Sequence, residues 1–336
     1  MRALITGITG QDGSFLAEHL LNQGYEVFGL VRRSSTNNLV RIDHIFDRLT
    51  LLHGNLRDFD SLEKTIRESK PDEIYNLAAQ SDVGVSFQCP TETKEINYLG
   101  LGRIVRLAYE IKPEIKIYQA STSEMFGNVD REPQTEETPM NPVSPYGVAK
   151  LSAHQDFVLN YRNQHNMFIL SGILFNHESE RRGERFVTRK ITKSLSRIKL
   201  GLQDELLLGN LDAKRDWGYA KDYVEGMWKM LQQPTPEDYI LATGQSTTVK
   251  EFARLAGERL DMDIYFEGEG INEKGIDNKT GKKVIAVDPQ FFRPNELHSL
   301  RGSPLKAKQK LDWSPKTSLS GLVEIMVEHD LKDLTK

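Results

Sequence analysis

Cysteine is almost missing from this chain: Cys89 stands alone among 336 residues. A single thiol forms neither an intrachain disulfide nor a thiolate zinc site, so the fold must stand on its buried core, and a reducing compartment suits it. Long apolar runs are missing too. No stretch approaches the ~20 apolar residues that a bilayer span needs, and the opening MRALITG lacks the basic and apolar regions of a secretory signal. The expectation is a cytoplasmic protein with no membrane partner. Neither sign of charge dominates, since 44 Lys and Arg face 48 Asp and Glu for a formal net charge of −4. Nothing in that balance calls for nucleic acid. Repeats and low-complexity tracts are absent as well, which excludes a solenoid or a disordered linker protein.

What the chain does have is alternation. Arg2 to Thr6 is a short apolar run ending in Gly7-Ile8-Thr9-Gly10-Gln11-Asp12-Gly13, after which SFLAEHLLNQG places apolar residues at helical spacing. YEVFGLVRR, LTLLHGN, PDEIYNLAA and IKIYQAS read as further strands, with SLEKTIRES and TKEINYLGLGRIVRLAYEI as helices between them. This order predicts an α/β protein with a Rossmann-type doubly wound parallel sheet, whose ligands sit at the carboxyl ends of the strands. After FILSGILFN the pattern loosens into short helices and strands, and EGEGINEKGIDNKTGKK reads as an exposed loop from its Gly, Lys and Asn content. We expect a cofactor domain over residues 1–175, with some later segments crossing back to it, and a smaller mixed α/β substrate domain over residues 176–336.

The glycine turn carries the first functional signal. Glycines at positions 7, 10 and 13, between the first strand and its helix, let a backbone approach a pyrophosphate that rests on the helix N-terminus. The candidate cofactor residues here are Gly7, Thr9, Gly10, Gln11, Asp12 and Gly13. The second strand ends in Arg32-Arg33-Ser34-Ser35, where NAD enzymes commonly carry an acid. Two guanidiniums with neighbouring hydroxyls suit a 2′-phosphate, which favours NADP, although a run of charge can be no more than a solvated loop. Asp58 follows the third strand and suits an adenine amine or, equally, the cap of SLEKTIRES. Leu77, Ala79 and Ser81 follow the fourth strand, mostly small residues beside which a flat ring can lie.

The strip from Ala120 to Lys150 brings together a hydroxyl, a carboxylate, a phenol and an amine. Ser144-Pro145-Tyr146 reads as a cap followed by proline at the first helical position, so Tyr146 and Lys150 fall one turn apart on one face. Such a pair on a random helix is usually a surface feature. Beside a nucleotide turn it has a chemical use: an ammonium ~6 Å away at an effective dielectric of ~20 favours a phenolate by ~2.8 kcal/mol, or about two pKa units.

Taken together, the glycine turn, Thr122 and Tyr146-x-x-x-Lys150 resemble the extended short-chain dehydrogenase/reductase superfamily. The resemblance implies that Thr122, Tyr146 and Lys150 oxidise a sugar hydroxyl, with Tyr146 and Lys150 also contacting the cofactor. Glu124 narrows the reaction. An epimerase needs no carboxylate here, whereas a 4,6-dehydratase must remove a C5 proton and protonate the departing C6 hydroxyl, and one glutamate serves both steps. The dTDP-glucose enzymes typically read T-D-E at this strand end, but this chain reads Thr122-Ser123-Glu124. With ITGQDGS, LVRRSS, YNLAAQS, ASTSEMFG, SPYGVAK, GILFNHES, FVTRKI, LGNLDAKRDWGYA and VDPQFFRP, it is similar to the GDP-mannose 4,6-dehydratase family over most of its length.

That likeness implies GDP-mannose as substrate and a place in GDP-fucose or GDP-rhamnose synthesis. It implies further cofactor contacts from His177 and Arg182, though His177 also fits a buried, hydrogen-bonded histidine. Substrate contacts are implied for Ser81, Glu124, Asn176, Val187, Lys190, Gly209, Arg215, Arg293 and Glu296. It also implies a tetramer built from dimers, with the Arg32 to Arg41 segment near a neighbouring subunit's cofactor. Other readings are a different nucleotide-sugar dehydratase or epimerase, or an NADP-binding regulatory protein; the latter typically lacks the Tyr or the Lys, and both are present here.

Overall fold

The apolar run after Met1 becomes β1 (Arg2–Thr6), in which Ala3, Leu4, Ile5 and Thr6 are all buried. Alternate residues point to opposite faces of a strand: Ala3 and Ile5 pack in one core cluster and Leu4 in another. A strand buried on both faces belongs in the middle of a parallel sheet. It lies between β2 (Glu26–Val31) and β4 (Glu73–Asn76), parallel to both. The glycine turn leads into α1 (Gln11–Asn22), β3 (Leu49–His53) pairs with β2, and α2 (Phe59–Ser69) returns the chain to β4. With β5 (Lys116–Thr122), β6 (Ile169–Leu174) and Tyr239–Leu241, the sheet has seven strands, ordered Tyr239–Leu241, β6, β5, β4, β1, β2, β3. The order reverses between β1 and β4, the position where such folds bind ligands.

The computed structural model describes residues 1–129, 131–291 and 299–336, and it divides into two units. The first comprises Met1–Phe175, Ala220–Leu241 and Gly302–Ser314; the second comprises Asn176–Tyr219, Ala242–Arg301 and Pro315–Lys336. Among the described residues, no helix is long and apolar enough to cross a membrane.

In the second unit, Ile264–Glu267, Lys274–Asp277 and Lys282–Val287 form an antiparallel meander, which Leu206–Leu208 extends in parallel. Helices Val187–Lys199, Val249–Arg259 and Leu319–Leu334 contribute to its core. The exposed loop expected over EGEGINEKGIDNKTGKK is corrected in part: most of it is exposed, but Lys274–Asp277 is a strand and its two ends belong to the flanking strands. Its composition misleads because Asp277, buried despite its charge, organises the turn. Its carboxylate accepts from Thr280 Oγ1 at 2.7 Å and from the Asp263 amide at 3.0 Å, while Gly281 takes the left-handed φ of +69° needed to restart the strand.

Candidate active site

Polar side chains are costly inside a sheet unless they pair, and those at the carboxyl ends of the central strands do. Thr6 Oγ1 donates to Asn76 Oδ1 (2.6 Å), and Asn76 Nδ2 donates to Gln119 Oε1 (2.7 Å). The Ala78 amide closes the set by donating to Thr6 Oγ1 (3.1 Å). This buried ladder ties together the ends of β1, β4 and β5, from which the candidate site is built.

At the end of β1 the glycine turn has no room for side chains. Gly7 holds φ +73°, and a Cβ there would lie 2.8 Å from the Ala78 amide nitrogen; a Cβ on Gly13 would lie 2.2 Å from the Gly7 carbonyl. Gly10 caps α1 without contributing a side chain, so a bare cradle precedes a helix N-terminus, which suits a diphosphate. Gln11 and Asp12 bond to each other through their side chains (2.9 Å). Arg32, Arg33, Ser34 and Ser35 are exposed beyond β2, with Ser34 bonded to the Thr36 hydroxyl and amide. Arg41 reaches back across the segment and donates to the Thr9 carbonyl (3.4 Å). Asp58 caps α2, its Oδ1 accepting from the Ser61 amide (3.0 Å). Leu77 and Ala79 are half-buried and Ser81 is exposed past β4.

Thr122 ends β5 with its hydroxyl accepting from the Glu124 amide (3.2 Å), which turns the chain through Ser123–Met125. Ser144 caps the Pro145–Ala153 helix by accepting from the Gly147 amide (3.1 Å), as the Ser-Pro pattern predicts. Beside Tyr146, Gly147 lies so close to the turn that an added Cβ would stand 2.7 Å from the Glu124 carbonyl. The structure thus brings Glu124 and the Tyr146 helix into direct contact. Tyr146 and Lys150 are both buried, and the Lys150 ammonium is 5.9 Å from the Tyr146 ring centroid. Nζ donates to the Ala120 carbonyl (2.8 Å), and burial pushes the Lys150 pKa down to about 8.

The second unit places the remaining candidates. Asn176 is half-buried and its carbonyl accepts from the Gly218 amide (2.9 Å). His177 is buried in a short strand. Arg182 pairs with the buried Glu178 carboxylate (3.0 Å) and stacks on Phe186. Val187 opens the following helix. On that helix Lys190 lies with its ammonium 3.4 Å from the Phe291 ring centroid, half-buried, and burial lowers its pKa. Gly209 is packed against the same residue, since a Cβ would meet the Phe291 carbonyl at 2.6 Å. Arg215 is buried, whereas Arg293 and Glu296 lie outside the described residues. Among the described residues no cluster of His, Cys, Asp or Glu is arranged to hold a metal.

Sequence reasoning passed over several residues that matter here. Gly147 looks like any helical glycine. Phe291, the platform under Lys190, is hidden within an aromatic-rich block. Ser121 and Ser171 do carry a signal, as polar residues within largely apolar strands, whereas His154 lies in a helix and carries none.

A family model described as GDP-mannose 4,6 dehydratase matches residues 4–326. A GDP-mannose 4,6-dehydratase of Vibrio cholerae is 48% identical over 98% of this chain and 94% of its own length. The human GDP-mannose 4,6 dehydratase is 49% identical over 98% of this chain and 91% of its own length. Among solved structures, a dTDP-glucose 4,6-dehydratase of Streptomyces venezuelae with NAD and TYD bound superposes with a TM-score of 0.84 at 21% identity, covering 100% of this chain and 98% of that one. A UDP-glucose 4-epimerase of Thermus thermophilus complexed with NAD gives 0.82 at 24%, covering 98% and 99%. At these identities the likeness is one of fold.

Proposed function

The chain belongs to the GDP-mannose 4,6-dehydratase family, and on that premise we propose that it removes water from GDP-mannose to give GDP-4-keto-6-deoxymannose, using NADP as a resident hydride carrier. The observation that supports the reading is the packing of the Glu124 turn against the helix bearing Tyr146 and Lys150, as expected where an elimination base works beside an alcohol-oxidising pair. When bound, the dinucleotide would supply a hydride acceptor for C4 and the hydride donor for C6. Tyr146 takes the C4 hydroxyl proton, Thr122 holds the same oxygen by a hydrogen bond, and the Lys150 ammonium favours the phenolate. Glu124 removes the C5 proton, made acidic by the C4 ketone, and delivers it to the departing C6 hydroxyl, and a proton drawn from solvent is added at C5 when the C5–C6 double bond is reduced. In the second unit, Asn176, Val187, Lys190, Gly209 and Arg215 hold the substrate, with Arg293 and Glu296 joining them. Ser81 contacts the sugar.

For the cofactor we propose Gly7, Thr9, Gly10, Gln11, Asp12 and Gly13 around the pyrophosphate, and Arg32, Arg33, Ser34 and Ser35 at the 2′-phosphate. Asp58 takes the adenine; Leu77, Ala79, Ser81, His177 and Arg182 complete the set. The Asp58 cap uses one carboxylate oxygen, which leaves the other for an amine. We place the enzyme in the cytoplasm as a tetramer in which the Arg32 to Arg41 segment meets a neighbouring subunit's cofactor. Arg33→Ala should then weaken NADP binding about tenfold, the scale of one charge-assisted hydrogen bond, and shift the tetramer towards dimers in sedimentation. An unchanged affinity and assembly would refute this role.

The test of the function is incubation of the purified protein with GDP-mannose in deuterated water without added cofactor. We expect loss of water with one deuterium at C5, read by mass spectrometry and NMR. Turnover confined to dTDP-glucose, or epimerisation without loss of water, would overturn the reading.

A further inference from the structure

The helix bearing Tyr146 and Lys150 is tethered to the neighbouring sheet at two levels, and only the first belongs to the reaction described above. At the first level Lys150 Nζ meets the Ala120 carbonyl. One turn on, His154 begins a wide π turn over His154–Leu159. Such a turn breaks the regular hydrogen-bond ladder and softens the helix. At that point the buried His154 ring is latched: Nδ1 lies 2.9 Å from Ser171 Oγ, and the Ser121 hydroxyl donates to the same oxygen (3.0 Å). Ser121 lies between Ala120, which receives Lys150, and Thr122. The two links therefore hold consecutive residues of β5.

We infer that His154 is a positioning residue which, through Ser171 and Ser121, fixes the Tyr146–Lys150 helix in register with the strand end carrying Thr122. The inference rests on the proposed dehydratase chemistry and adds to it the means by which the phenol–ammonium distance is kept. A flexible four-carbon lysine stem cannot set that distance alone, and the Ser144 cap and the Gly147 contact hold the other end of the helix, ahead of Lys150. The far side of the latch is itself braced: the Ser171 amide donates to Asp238 Oδ1 (2.7 Å), and Asp238 is forked by Arg162. The charged groups that act on the imidazole are Asp238 and Arg162. Burial outweighs Asp238 and keeps the ring below its ordinary pKa.

The test compares His154→Leu, which fills the space without a hydrogen bond, with His154→Asn, whose amide stands near the place of Nδ1. For His154→Leu we expect kcat to fall about 10- to 100-fold with KM for GDP-mannose unchanged, the scale of a small misplacement of reacting groups. The pH midpoint of kcat should also rise by about half a unit as the ammonium recedes from ~6 to ~8 Å. His154→Asn should recover most of the loss. A second measurement needs no turnover: the 15N imidazole spectrum of the cofactor-free protein should show one fixed tautomer for His154, altered by Ser171→Ala. Unchanged kcat, a loss confined to melting temperature and active fraction with an unmoved pH midpoint, or a freely exchanging tautomer would each overturn the inference. A wild-type protein that leaves GDP-mannose intact would sink the dehydratase reading instead, and the spectrum would still decide the latch.

Discussion

Glu124→Gln is expected to keep the first half of the reaction and lose the second. Glutamine preserves the volume of the side chain, and the turn that positions it is held by backbone: the Glu124 amide donates to Thr122 Oγ1, and the Glu124 carbonyl packs on Gly147. Local structure should therefore survive. What disappears is the proton acceptor for C5 and the donor for the C6 hydroxyl. A single general acid–base group contributes about 10²–10⁴-fold, and in the proposed mechanism one side chain performs both transfers, so product formation should fall by at least ~10³-fold. Absorbance at 340 nm should appear on mixing with GDP-mannose and persist, with a 4-keto sugar that has lost no water. Formation of the deoxy product at a normal rate would remove Glu124 from its role.

Lys150→Met should abolish most activity, and it should also reveal what the lysine costs the fold. The amine is buried with its pKa lowered from 10.5 to about 8. At pH 7 both folded and unfolded chains carry the proton, so the folded state bears the whole penalty of a buried charge. Between pH 8 and 10.5 the unfolded chain retains a proton that the folded chain has released, and stability rises with pH across that window. By pH 10.5 the penalty is spent. A shift of this size corresponds to about 3 kcal/mol. Methionine carries no charge but leaves the Ala120 carbonyl without its donor, a loss of about 1–3 kcal/mol, so the absolute change at pH 7 is small. The pH trend is the informative quantity: in urea titrations of the cofactor-free proteins, the stability of wild type relative to the variant should improve by about 3 kcal/mol from pH 7 to 10.5. A flat difference would mean that the ammonium is not paying a desolvation cost.

Where one residue type has one physical use, the chain could be read directly. Gly7, Gly10 and Gly13 stand where a Cβ cannot fit or would crowd the turn, the Ser144-Pro145 start forms the cap it predicts, and the alternating pattern leads to the parallel sheet. What stayed hidden depends on partners distant in sequence. Asp277 turns a polar, loop-like segment into strands through contacts with Asp263 and Thr280. Ser171 has meaning only once β6 lies beside β5, and Lys190 gains its aromatic platform about a hundred residues away, in Phe291. Local pattern reports propensity and periodicity; it carries little about which polar groups find each other across the core.

The π turn at His154–Leu159 also sets an angular phase. A π turn accommodates an extra residue within a helix, and each residue advances an α-helix by about 100°. Within it, Asp156 accepts from the Tyr98 hydroxyl (2.8 Å) and Phe157 packs on the Tyr98 ring, with centroids 5.0 Å apart. Residue Tyr98 belongs to a second wide turn, Glu95–Leu99. Because the wide turn absorbs its extra residue locally, deleting one residue between His154 and Leu159 should restore ordinary helix with the flanking segments facing as before, whereas the same deletion in a regular turn would swing everything after it by about 100°. The wide turn is thus the place where this helix tolerates a change in length, and that change comes in whole residues.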